Sequence, residues 1–161
     1  MKLKAFDLYD IGLSSDKKLK EKIEPYIKYF VSGDSIAICL QENVKKIKMV
    51  IKDNGYDIEN LEIMNLDKFY KTSEGWDYVY LGELEIDGDE VWKEFGKVLK
   101  EKEEELLNTD NYEELWFKYQ RLALRNIFNK IVEKETEAFE NRIKEAQDDF
   151  EKRIGVYERK Q

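Results

Sequence analysis

In 161 residues the chain carries 40% charged and 42% hydrophobic side chains, a net charge of −8, one cysteine and no histidine. Without histidine the chain lacks the side chain best suited to proton transfer near neutral pH and any imidazole ligand, which excludes histidine triads, histidine-based zinc hydrolases and histidine di-iron sites. A lone cysteine excludes a disulfide framework, and no apolar run approaches the ~18–20 residues of a membrane-spanning helix.

The first residues, MKLKAFDLYD, lack the apolar stretch of a signal peptide. A soluble, cytoplasmic protein is expected. Leu3–Tyr9 alternates with β-formers and predicts a first strand. Ser14-Ser15-Asp16 offers N-cap candidates for a helix. Leu19, Ile23, Ile27 and Phe30 then recur at helical spacing, interrupted by Pro25, which kinks the helix or restarts it. Gly33 is the expected stop.

Ser35–Leu40 is a short apolar run that predicts a strand buried on both faces. Val44, Ile47, Val50 and Ile51 share one helix face, with Lys45, Lys46, Lys48 and Lys52 largely off it. Asn54-Gly55 ends that helix. The rival reading is a strand over 47–51 and a hairpin turn at Asn54-Gly55. Leu61–Leu66 predicts a third strand and Lys71–Gly75 a turn. Trp76 to Ile86 alternates as a fourth strand. Asp87 or Asp89 then caps a helix running to about Leu107, and Asn108-Thr109-Asp110 turns the chain again.

Asn111 to about Lys160 has no proline and a single glycine, Gly155, and predicts one long helix or two nearly in line. From Tyr112 to Val132 its apolar residues cover most of the circumference, as in a helix buried on several sides. Beyond Glu133 the pattern narrows to Phe139, Ile143, Ala146, Phe150, Ile154 and Tyr157, one stripe of roughly heptad period. An unbroken helix of ~50 residues spans ~75 Å, against a radius of gyration near ~15 Å for a compact chain of this size. The stripe therefore finds its partner in a second copy, or the helix breaks near Glu133–Thr136 and folds back.

The expected class is α+β: a small mixed sheet of about four strands flanked by helices, with a long C-terminal helix that covers the core and extends as an amphipathic arm. Residues 1–110 form the α/β part. Residues 111–161 form the helix, its first half packed on the core and its second half for oligomerisation. No internal repeat and no low-complexity linker stands out.

Charge is uneven. Residues 1–52 hold 11 Lys/Arg against 7 Asp/Glu, residues 53–110 hold 6 against 18, and residues 111–161 hold 11 of each. The acidic block, with Glu83, Glu85, Asp87, Asp89 and Glu90 at its densest, suits a basic or nucleic-acid-binding partner protein. Lys45, Lys46, Lys48 and Lys52 are candidates for nucleic-acid contact, although lysines without arginine suit phosphates better than bases. The face bearing Trp76, Tyr78 and Tyr80, with Phe69 and Tyr70 before it, reads as sheet core or as a protein-binding patch.

The series Glu83, Glu85, Asp87, Gly88 and Glu94 imitates an EF-hand loop. However, Glu90 stands where that loop needs an apolar residue, and a strand precedes it instead of a helix. No phosphate-binding glycine loop and no nucleophile elbow is present, and no cofactor is implied. Cys39 sits in the most apolar strand as a structural thiol. The resulting expectation is a non-enzymatic acidic protein acting by protein–protein contact as a homodimer. An inhibitor or an immunity or anti-defence protein of phage or mobile-element type fits that description. A nucleic-acid-associated protein and a carboxylate-dependent enzyme are the alternatives.

Overall fold

The computed structural model describes residues 1–9, 12–31, 35–72 and 78–160, with side chains throughout these except at positions 14, 78, 79, 81 and 156–160. Gly33 as a helix stop, Ser14 as a cap, Trp76 and residues 73–75 of the turn expected over Lys71–Gly75 lie outside what is described; Lys71 and Thr72, expected in that turn, are helical. The chain divides into two compact units, Met1–Ala123 and Leu124–Gln161.

The α+β class holds. In the first unit β1 (Leu3–Asp7), β2 (Tyr29–Val31), β3 (Ile36–Leu40) and β4 (Met64–Asn65) form one sheet in the order β2-β3-β1-β4, every ladder antiparallel. Strand side chains alternate between faces, so Leu3, Ala5 and Ile38 enter one core cluster while Phe6, Ala37 and Cys39 enter another. The pairings Ala5↔Ile38 and Phe6↔Ala37 keep each set on its own side. β3 is buried on both faces, as its unbroken apolar run requires.

Helices α1 (Lys17–Ile23) and α2 (Val44–Asp53) cover one face through Leu19, Ile23, Ile47 and Ile51. Asp16 caps α1 by accepting a hydrogen bond from the Leu19 N–H. The Tyr56 hydroxyl donates to the same carboxylate at 2.6 Å. Pro25 lacks the N–H that would continue the helix, and the chain passes through a single 3-10 turn, Glu24–Tyr26, into extended backbone at Ile27. Phe30 therefore belongs to strand β2, and the helical spacing of Ile27 and Phe30 does not extend α1. α2 is a helix, not a hairpin arm, and ends where the Asn54 side-chain amide donates to the Val50 carbonyl and Gly55 takes φ 90°.

The other face is covered by α3 (Leu66–Thr72), α4 (Gly88–Glu101), α5 (Glu103–Leu107) and the start of α6 (Tyr112–Lys160). The strand expected over Leu61–Leu66 shrinks to the two residues of β4, because Leu66, Phe69 and Tyr70 are buried from one side of a helix. The single strand expected over Trp76–Ile86 is a hairpin, β5 (Tyr78–Leu81) and β6 (Leu84–Asp87). Gly82, with φ 65°, opens its two-residue loop. Asp87 caps α4 by accepting from the Asp89 N–H.

α3 and α4 cross closely. A Cβ on Gly96 would lie 2.6 Å from the Asp67 carbonyl oxygen and 3.3 Å from the Tyr70 Cβ, so only glycine fits there. Around this crossing Tyr70 stacks on Trp92 at 4.8 Å, and Phe95 and Trp116 meet edge to face at 5.0 Å. Glu103, at the start of α5, accepts from the Leu3 N–H and fastens the helix layer to β1.

α6 is a single 49-residue helix. This is the first of the two forms expected from the sequence, one unbroken helix, and no break occurs near Glu133–Thr136. Within the first unit Trp116, Tyr119 and Ala123 enter the core.

Candidate functional site

In the second unit the stripe read from the sequence lies open. Phe139 is 56% exposed, Ile143 43%, Phe150 63% and Ile154 38%. Ala146 is exposed as well, and the Tyr157 side chain lies outside the described residues. The helix carrying them is supported locally: Asp149 and Arg153 pair at 3.3 Å, one turn apart, and the Arg142 guanidinium lies 6.0 Å from the centre of the Phe139 ring.

The structure adds two members that sequence reasoning placed in the all-round apolar part of the helix. Phe128 is 46% exposed and Val132 45%. Phe117, on the portion of α6 that belongs to the first unit, is 58% exposed. The buried residues on that portion are Trp116, Tyr119 and Ala123, so its apolar surface has an open side. The signal that finds these residues in the sequence is the spacing of phenylalanine: 117, 128, 139 and 150.

Glu83, Glu85, Asp87, Asp89 and Glu90 are all exposed, distributed over the hairpin loop, β6 and the first turn of α4. Asp87 is engaged as the helix cap, and Asp89 and Glu90 lie where the positive end of the helix dipole favours them. A Ca²⁺ loop cannot form over loop, strand and helix in this way. Among the described residues no group of three or more acidic or cysteine side chains is placed to hold a metal ion.

On α2, Lys45, Lys46 and Lys52 are exposed and Lys48 is half-buried. Lys46 sits 5.2 Å from the centre of the Tyr26 ring. Of the aromatic face, Phe69 and Tyr70 are core, Tyr80 is 65% exposed, and the Tyr78 side chain is not described.

Burial makes one thiol and three tyrosine hydroxyls hold their protons more tightly than free side chains do. Burial pushes the Cys39 thiol up to about 12, which leaves it without thiolate at neutral pH. Burial likewise raises the hydroxyls of Tyr29 and Tyr70 above the ordinary tyrosine value. Tyr119 is raised by burial and by the hydrogen bond it donates to Glu105 at 2.5 Å, and that bond lowers the Glu105 carboxyl. A shallow cavity of about 600 Å³ is lined by Lys2, Leu40, Gln41, Glu42 and Leu107. It brings together one amine and one carboxylate. No helix among the described residues is long and apolar enough to cross a membrane. Comparison with known family models, with curated proteins and with solved structures gives no match to this chain.

Proposed function

We propose that this chain acts by protein–protein contact and not by catalysis, pairing with a second copy of itself through the second unit while the first unit carries the acidic surface. The observation that carries this reading is the open apolar line of Phe139, Ile143, Phe150 and Ile154, with Ala146 the one other apolar residue between its ends. Water-facing aromatic and aliphatic groups in a row mark a contact surface.

Charge supports the same division of labour. The second unit holds nine Lys/Arg and nine Asp/Glu, so the entire net charge of −8 belongs to the first. Two neutral helices approach one another without net repulsion, whereas a body of strong negative charge steers basic partners towards itself. An inhibitor, immunity or anti-defence role towards a basic or nucleic-acid-binding protein accords with that surface.

Sedimentation velocity of the full chain beside a Phe139→Glu/Phe150→Glu variant tests the pairing. The expected result is a dimer for the former and a monomer for the latter, with the same cooperative unfolding of the first unit in both. A monomeric parent chain would overturn the proposal.

A further inference from the structure

The exposed line on α6 is more regular than a heptad seam. Phe128, Phe139 and Phe150 stand 11 residues apart, and each is followed four residues later by an aliphatic residue, Val132, Ile143 or Ile154. All six are between 38% and 63% exposed. Eleven residues make three turns at ~3.67 residues per turn, slightly more than the ~3.6 of a straight α-helix. A seam of this period stays on one side of a nearly straight helix with a slight right-handed wind, whereas a heptad seam winds to the left.

We infer that the second unit is an 11-residue repeat that pairs in parallel with the same repeat in a second copy of this chain, an inference that rests on the self-association proposed above. Period argues for a second copy as the occupant. A heptad helix laid on this seam drifts out of register within a few turns, while a second copy repeats at the same interval along its whole length. Area argues the same way. Six half-open side chains leave on the order of 100 Å² each, so a symmetric pair buries on the order of 1,200 Å², the lower bound for a stable specific interface.

Charge sets the direction. One residue after each distal phenylalanine stands a glutamate, Glu140 or Glu151, and three residues after it an arginine, Arg142 or Arg153. At ~3.6 residues per turn these fall on opposite flanks of the seam. In a parallel pair the arginine flank of each copy lies beside the glutamate flank of the other. An antiparallel pair sets glutamate flank against glutamate flank. Asp149 shares the arginine flank and is already paired with Arg153.

Cysteine cross-linking reads the arrangement directly, because Cys39 is buried and its thiol is held protonated. Ala146→Cys and Ile154→Cys are made separately in the full chain, oxidised mildly, and followed by non-reducing electrophoresis and sedimentation. In a parallel pair each introduced cysteine meets its own counterpart, so both variants form covalent dimers and the parent chain forms none. A dimer in which only one variant cross-links, or neither, overturns the parallel register and leaves self-association standing. Monomers throughout overturn both.

Discussion

Gly96 lets two helices touch. Its missing side chain leaves room for the carbonyl of Asp67, 2.6 Å from where a Cβ would be. Gly96→Ala is therefore expected to cost about 1–3 kcal/mol through overpacking against backbone that cannot rotate away, read as a lower urea midpoint with unchanged m. The tyrosines make a second residue-scale prediction. Tyr29, Tyr70 and Tyr119 have folded-state values above the usual 10. The folded state thus retains protons that the unfolded chain loses, and stability is intact below pH 10 and falls as pH rises beyond it. Tyrosinate absorbance in an alkaline titration should show these three ionising only with unfolding, after the exposed tyrosines. At acid pH the sign reverses. Asp16 is lowered chiefly by the Tyr56 hydroxyl and Glu105 by that of Tyr119, so their contribution is complete above the ordinary carboxylate range and is lost as pH falls from that range through their lowered values. Cys39 as a buried thiol and Asp16 as a cap were legible from neighbouring residues alone. Gly96 was not, because its partner on α3 lies in a helix that local pattern did not reveal.

At the scale of elements, legibility followed whether one periodicity spoke alone. β3 and α2 read correctly since an unbroken apolar run between polar ends, and a three-to-four-residue rhythm with lysines off-face, each admit few alternatives. Three elements were misread where two signals overlapped. Ile27 and Phe30 fit helical spacing from Leu19 onward, but Pro25 had already ended the helix, and β3 offered an edge with which Tyr29–Val31 pairs. Leu61–Leu66 is apolar enough for a strand, yet its last residue starts a helix whose inner face continues through Phe69 and Tyr70. The alternation from Trp76 to Ile86 runs through Gly82-Glu83 without a visible break in period, although the positive φ of Gly82 folds the segment back on itself. The N-terminal cap of α4 provides a test at this scale. Asp87→Ala should destabilise by about 1 kcal/mol, and Asp87→Asn by less, as measured by thermal unfolding followed at 222 nm.

For the whole molecule, every residue of both core clusters lies between Leu3 and Ala123. A chain ended at Lys134 is accordingly expected to unfold with the same denaturant midpoint as the full chain at dilutions where both are monomers, and to lose the concentration dependence of its sedimentation. The distal stripe was legible in the sequence because it narrows from all-round apolar to one line. Its 11-residue interval was masked by the crowded apolar residues around Phe117 and Phe128, and accessibility was needed to sort open from buried. The main sheet bears on the same question from another side. Its two outer strands are β2, three residues long, and β4, only two. Rims so brief present few free backbone amides and carbonyls for a foreign strand to zip onto. Strand addition is thereby discouraged at this sheet.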